Sequence, residues 1–318
     1  MSGPTSDRSI QERELLARQD ELHAYCYRML GSVHDADDAL QDVLLRAWRG
    51  LPSFEGRSTV RSWLYRIATN VCLSAIESRP RRVLPVDYGP AVDPHQTGVQ
   101  PLVETAWIEP FPDQPEAGYE LRESVELAFV AALQHLPANQ RAVLILREVL
   151  DFSAREVAES LGTSTAAVNS ALQRARRLVE ERLPDQSQQA TLRSLGDEQV
   201  RNLVERYSKA LEQGDVDALL AVLTEDATWS MPPERTWYRG HEAITAFLND
   251  GPMSVRWRHA PTRANGQLAV GCYAWDEEKE GFVPRVLDVL TLRGARIAEV
   301  TAFVDRGTLA DFGLPDEL

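Results

Sequence analysis

Six side chains, Thr165, Asn169, Ser170, Gln173, Arg174 and Arg177, are spaced so that a helix gathers them on one side. Hydroxyls and carboxamides can hydrogen-bond base edges in a major groove, and guanidinium groups can grip phosphates. The elements that must hold them are legible around them. Val168, Leu172, Ala175 and Val179 form the apolar stripe opposite. Just before lies a shorter helix with Ala154, Val157, Ala158 and Leu161 on one face, ended by Gly162 and followed by the capping pair Thr163–Ser164. Two helices on so short a turn, with the polar face on the second, make a helix-turn-helix. The plainer alternative is a helical hairpin with a solvated basic face. Ala166 and Ala167 open the second helix, so readout leans on few base contacts and on DNA shape.

The chain has 318 residues and a net charge of −14, enough length for two or three domains. By segment the charge is +1 over 1–82, −6 over 83–118, −1 over 119–183 and −8 over 184–318. A helix-turn-helix region near neutrality gains little from counterion release, so a partner must supply much of the affinity for DNA. No long uncharged apolar run and no signal-like N-terminus is visible, which predicts a cytoplasmic protein without a membrane partner. Cys26, Cys72 and Cys272 are too scattered for a disulfide framework, and His23 with Cys26 lacks further ligands for a metal. Neither a metal site nor a cofactor is expected.

Residues 12–82 read as a helical domain. One helix runs from about Glu12 to Leu30, a second starts near His34, and a turn (PSFEGRS) leads to a third that ends in Arg79, Arg81 and Arg82. Residues 83–118 hold seven prolines and no basic residue, the pattern of a linker. Within it Trp107, Ile108, Pro110 and Phe111 form an apolar knot, and burial at ~25 cal/mol per Å² predicts that Trp107, Pro110 and Phe111 dock between domains. Residues 119–183 form a second helical domain and 184–196 a short polar linker. From 197 to 318, two helices precede alternating segments (ATWSM, MSVRWRHA, QLAVGCYAW, VPRVLDVLTL, ARIAEVTAF), an α+β pattern. The predicted architecture is therefore two all-α domains followed by an α+β cone.

The stretches DADDALQDVLLRAWRGLPSFEG, RSWLYRIATNVCLS and HLPANQRAVLILREVLDFSAREVAESLGTSTAAVNSALQRAR, in this order, resemble domains 2 and 4 of extracytoplasmic-function sigma-70 factors. That resemblance implies a promoter-specificity subunit of RNA polymerase. The second helix, through Asp35, Asp38, Gln41, Asp42, Leu45 and Trp48, would dock on the beta-prime clamp of the core enzyme, and the second helical domain on the beta flap. Phe54, Arg57, Ser58, Arg61, Trp63, Asn70 and Arg79 would hold the melted −10 element of promoter DNA, Trp63 having an equal claim to a core role. The helix-turn-helix would read the −35 element.

Residues 197–318 resemble the SnoaL-like, ketosteroid isomerase-like cones, on RYSKALEQGDVDALLAVLTEDATWSMPP and YRGHEAITAFL. In sigma factors that carry it, such an extension implies regulation through contact with the linker and helical domains, with a small-molecule ligand as a possible partner. An isomerase or cyclase fused to a DNA-binding module is a rival reading. Asp226, His241, His259, Asp288 and Asp305 are its candidate bases, in a cavity lined by Trp229, Met231, Trp237, Tyr238 and Trp257. A ligand-responsive helix-turn-helix regulator is a further rival, but leaves residues 12–82 without a role. The leading expectation has no catalytic residue.

Overall fold

The structure is a computed structural model, and it describes residues 13, 15–56, 58–92, 106–113, 122–304 and 307–318. Arg57 and Asp305 lie outside the described residues. The chain divides into two compact units, Met1–Arg82 with Leu127–Leu183, and Val83–Glu126 with Pro184–Leu318.

The first unit is helical. Helix α1 (Gln19–Leu30) ends at Gly31, whose φ of 71° turns the chain and lets its N–H cap Tyr27 O. Helix α2 (Val33–Gly50) starts at Ser32, whose hydroxyl accepts from Asp35 N. Its buried stripe is Ala36, Ala39, Val43 and Ala47, small residues that let a neighbouring helix approach closely. Helix α3 (Val60–Glu77) is capped by Thr59. Helices α4 (Leu127–Gln134) and α5 (Ala138–Leu144) follow, the latter running into a π turn at Ile145–Val149. Helix α6 (Ala154–Leu161) opens on a Ser153/Glu156 capping box, and α7 (Thr165–Glu180) is capped by Ser164.

Within this unit, α4 and α5 satisfy the carboxyl end of α1. Gln134 Nε2 donates to Arg28 O at 3.3 Å, and the buried Arg141 guanidinium donates to Met29 O and to Gln134 Oε1. A cation there offsets the negative end of the helix dipole. Burial pulls the Arg141 pKa down to about 10, still charged at neutral pH.

In the second unit, α8 (Gln188–Gln213) breaks at Gly196 (φ 75°). The short α9 (Val216–Leu220) follows. Six strands, β1 (Leu223–Ser230), β2 (Trp237–Arg239), β3 (Trp257–Ala264), β4 (Gln267–Asp276), β5 (Gly281–Arg293) and β6 (Arg296–Phe303), form one sheet in the order β2-β1-β6-β5-β4-β3. Only β1 and β6 pair in parallel. Helix α10 (Gly240–Asp250) lies between β2 and β3 in sequence. The core joins Leu203, Tyr207 and Leu211 of α8 to Val270, Cys272, Leu290 and Val300 of the sheet. This is the α+β architecture expected, with two corrections. The stretch 184–196 is not a plain linker, because Gln188 onward is helical and Gln188 and Gln189 are buried. Strand β3 also starts at Trp257, later than the alternation suggested, because Pro252–Ser254 form a 3-10 turn.

Residues 83–126 belong to this second unit. Val83 bridges Trp107, and Pro112 bridges Ala264. The C-terminal tail covers the sheet at Gly271, where a Cβ would meet Leu309 at 2.9 Å. That is why glycine stands mid-strand.

Candidate nucleic-acid interface

Helix α7 presents Thr165, Asn169, Ser170, Gln173, Arg174 and Arg177 to solvent, while Val168, Leu172, Ala175 and Val179 are buried. Arg177 Nε lies 3.2 Å from Glu181 Oε1, an exposed i,i+4 pair worth little and easily exchanged for a phosphate. Arg176 pairs with Glu148 on the preceding turn. The capping-box bonds of Ser153 hold the Glu156 carboxyl below the usual range, so α6 starts on a fixed negative charge.

On α2, Asp38, Gln41, Asp42, Leu45 and Trp48 are all exposed, Leu45 at 54% and Trp48 at 52%. Two large apolar groups in water beside carboxylates suit a protein partner better than DNA. Asp35 does not join them. It is half-buried and tied to Arg79 and, at 2.7 Å, to Arg82. Arg79 itself remains exposed beside this pair.

The remaining candidates sit around the start of α3. Phe54 and Trp63 are half-buried against each other, ring centroids 5.1 Å apart, and Trp63 also packs on Gly50. Ser58 is half-buried and Asn70 exposed. Arg61 donates to Leu150 O at 2.8 Å, lies 3.3 Å from Glu21 and stacks 4.4 Å over the Phe152 ring. Ser62 Oγ donates to Glu156 Oε1 at 3.0 Å. Ser58, Ser62, Arg66 and the α6 residues Arg155 and Glu159 line a cleft of about 280 Å³. These contacts of Arg61 and Ser62 with the helix-turn-helix block left no pattern in the sequence, because their acceptors lie 89 and 94 residues away.

In the second unit Trp107, Ile108, Pro110 and Phe111 are buried. Asn265, in the β3–β4 turn with φ 54°, is fully buried. Its Oδ1 accepts from Phe111 N at 2.8 Å, its Nδ2 donates to Val125 O at 2.7 Å, and its backbone N donates to Phe111 O at 2.8 Å. Gly266 N donates to Asp113 Oδ1 at 2.6 Å. Glu126 receives the first N–H groups of α8, from Gln188 and Gln189, both at 3.0 Å. Burial still dominates and pushes the Glu126 carboxyl up to about 7. An earlier anchor lies at Gly89, whose O accepts from Trp237 Nε1 at 2.9 Å, and at Val92, whose N donates to Trp237 O.

Three of the candidate bases, Asp226, His241 and Asp288, each have their own structural partner. Asp226 is exposed and paired with Arg293, and His241 Nε2 meets Thr224 O at 3.0 Å. Asp288 is buried under Tyr207 OH at 2.8 Å and Cys272 Sγ at 3.2 Å, and burial raises it to about 6. The expected lining residues Trp229, Met231, Tyr238 and Trp257 pack in the core of the domain or against it. Trp229 stacks on Tyr207, and Tyr238 on Phe247, with ring centroids 4.6 Å apart, while Trp257 donates to Pro252 O. Met231 is partly buried against the core and Trp237 is buried in β2.

Family profiles for Sigma-70 region 2, Sigma-70 region 4 and a SnoaL-like domain match residues 15–82, 126–179 and 204–300. The ECF RNA polymerase sigma factor SigG of Mycobacterium tuberculosis is 43% identical over 310 residues, covering 94% of this chain and 82% of SigG. The chain belongs to the ECF RNA polymerase sigma factors. The M. tuberculosis ECF sigma factor SigJ is 27% identical over 249 residues, 75% of this sigma factor and 72% of SigJ. The crystal structure of SigJ matches the fold with a TM-score of 0.60 at 21% identity, over 96% of this sigma factor and 99% of SigJ. As a member of that family, this sigma factor binds core RNA polymerase and directs promoter recognition and transcription initiation.

Proposed function

We propose that the SnoaL-like domain sets the activity of this sigma factor by holding the linker between its two helical domains. The observation that carries this reading is the burial of Trp107, Ile108 and Phe111 in one compact unit with the sheet, fastened by Asn265. The exposed α2 face of Asp38, Gln41, Asp42, Leu45 and Trp48 docks on the beta-prime clamp, without Asp35. The second helical domain meets the beta flap, and α7 reads the −35 element through Asn169, Ser170 and Gln173, with Arg174 and Arg177 on phosphates. Phe54, Arg57, Ser58, Arg61, Trp63 and Asn70 serve the −10 element. Arg61 and Ser62 are engaged by Leu150 O and Glu156, so promoter opening requires them to exchange these partners for DNA. The protein works beside polymerase in the cytoplasm.

The SnoaL-like domain is read as regulatory because its Asn265 fastens the linker at Phe111 and Val125. The test is transcription in vitro with core enzyme on promoter DNA, comparing the wild type with Asn265→Gly and Trp107→Ala. Promoter-specific transcripts whose yield changes several-fold on breaking the clasp are expected. Unchanged yield would overturn the regulatory reading, and no specific transcript from any variant would overturn the promoter-binding assignments as well.

A further inference from the structure

Helix α8 and the edge strand β3 do not close on each other along their whole length. Between them lies an open groove of about 1160 Å³, bounded also by Asp113 of the linker and by the tail at Phe312. Ligand clefts commonly hold roughly 300–1,000 Å³, so the groove is ample for one small molecule. Its floor is apolar, made by Val204, Leu268 and Phe312, each nearly buried. Among the described residues the lining carries four basic and four acidic side chains and so has no net charge. Two of the acids are already engaged, Asp113 by Gly266 N and Arg263, and Glu212 by His259 N at 2.9 Å.

The polar feature of the wall is His259. Its side chain is 1% exposed, and its Nδ1 stands 3.5 Å from Glu212 Oε1 without making a hydrogen bond. Burial pulls its pKa down to about 4 despite the Glu212 charge, so the ring is neutral at cellular pH. A buried ring nitrogen without a hydrogen bond is a feature that bound ligand or water normally removes. The groove is also separate from the stacked rings of Tyr207, Trp229, Phe247 and Tyr238, none of which lines it.

The geometry points to this groove as a binding site for an uncharged, amphipathic small molecule that lays an apolar body on Val204, Leu268 and Phe312 and offers a hydroxyl to His259. Zero net charge in the lining disfavours a strongly charged ligand. A hydroxyl both donates and accepts, and so serves either tautomer of a neutral imidazole. Because Asp113 of the linker and Phe312 of the tail form two of its walls, the occupant touches both segments.

The experiment uses the full chain and 1-naphthol, an uncharged fluorescent probe with one hydroxyl, beside 1-methoxynaphthalene, which cannot donate. Saturable binding of one 1-naphthol per chain is expected. Ser208→Trp, which fills the groove from α8, should weaken both probes at least about tenfold. His259→Phe should weaken 1-naphthol several-fold and leave 1-methoxynaphthalene within about twofold. Thr262→Trp, from the opposite wall, repeats the blocking test should Ser208→Trp not fold. Non-saturable binding, or binding indifferent to a folded blocking variant, overturns the site. Equal response of the two probes to His259→Phe overturns the role of the imidazole. No polymerase or DNA is present, so the outcome is independent of the regulatory reading above.

Discussion

Replacing Asn265 by alanine should release the linker from the β3–β4 turn. The side chain makes two buried hydrogen bonds, 2.8 Å from Phe111 N and 2.7 Å to Val125 O. Each is worth about 1 kcal/mol net, and leaving a buried partner unsatisfied raises the loss to ~1–3 kcal/mol apiece. Alanine at a φ of 54° adds about 1 kcal/mol of backbone strain, which glycine avoids. The clasp should therefore weaken by ~3–7 kcal/mol in Asn265→Ala and by ~1 kcal/mol less in Asn265→Gly. Amide hydrogen exchange reads this directly. Opening of residues 107–111 should become about two to five orders of magnitude more frequent, while strands β4–β6 keep their protection. Unchanged exchange at Phe111 would refute the reasoning. So would an equal rise across the whole sheet, which would make Asn265 a general core residue and not a fastening for the linker.

Four further outcomes follow from the surfaces. Arg174→Ala should weaken binding to −35 DNA across sequences and lower the salt slope by ~1, whereas Asn169→Ala should alter base preference by ~1–3 kcal/mol in a binding-site selection. Trp48→Ala should weaken association with core polymerase by ~2 kcal/mol, measured by titration of labelled core, with little change in melting temperature because the ring is already 52% exposed. Arg61→Ala removes a bond to Leu150 O and a stack on Phe152, and should cost ~1.5–3 kcal/mol of packing within the helical unit, read by denaturant unfolding. Burial raises the Glu126 carboxyl to about 7 in the folded chain from its ordinary 4.5. The folded state therefore holds the proton more tightly, and its stability falls as pH rises from about 4.5 to 7. In Glu126→Gln that part of the fall should vanish, so the wild-type and variant melting curves should change their separation across that window and run parallel above it.

The sequence carried the parts of the fold that depend on local periodicity. The α7 stripe Val168, Leu172, Ala175 and Val179 is buried, and the six polar residues from Thr165 to Arg177 stand opposite it in solvent, because one helix decides both faces. What escaped depends on distant partners. Gln188 and Gln189 read as linker, yet they are buried because Gln188 exchanges two hydrogen bonds with the Leu292 backbone and both backbone N–H groups reach Glu126. No local pattern announces an acceptor a hundred residues away. Asp35 and Arg79 were read as contacts for two different partners, and their pairing with each other, 44 residues apart in the chain, has no local signature. One signal was present and unused: Asn265-Gly266 between alternating segments marks a two-residue hairpin, both residues at positive φ, and that hairpin is where the linker fastens.

Between Val83 and Glu126 the chain has 44 residues, which as a free strand could reach roughly 150 Å at ~3.4 Å per residue. Pinned at Gly89–Val92 and again at Trp107–Asp113, it has no such reach. Chain entropy no longer governs how far apart its two ends stand; the width of one folded body does. Residues inserted between 92 and 106 would add only slack to a stretch with fixed ends, whereas loosening either pin would lengthen the span.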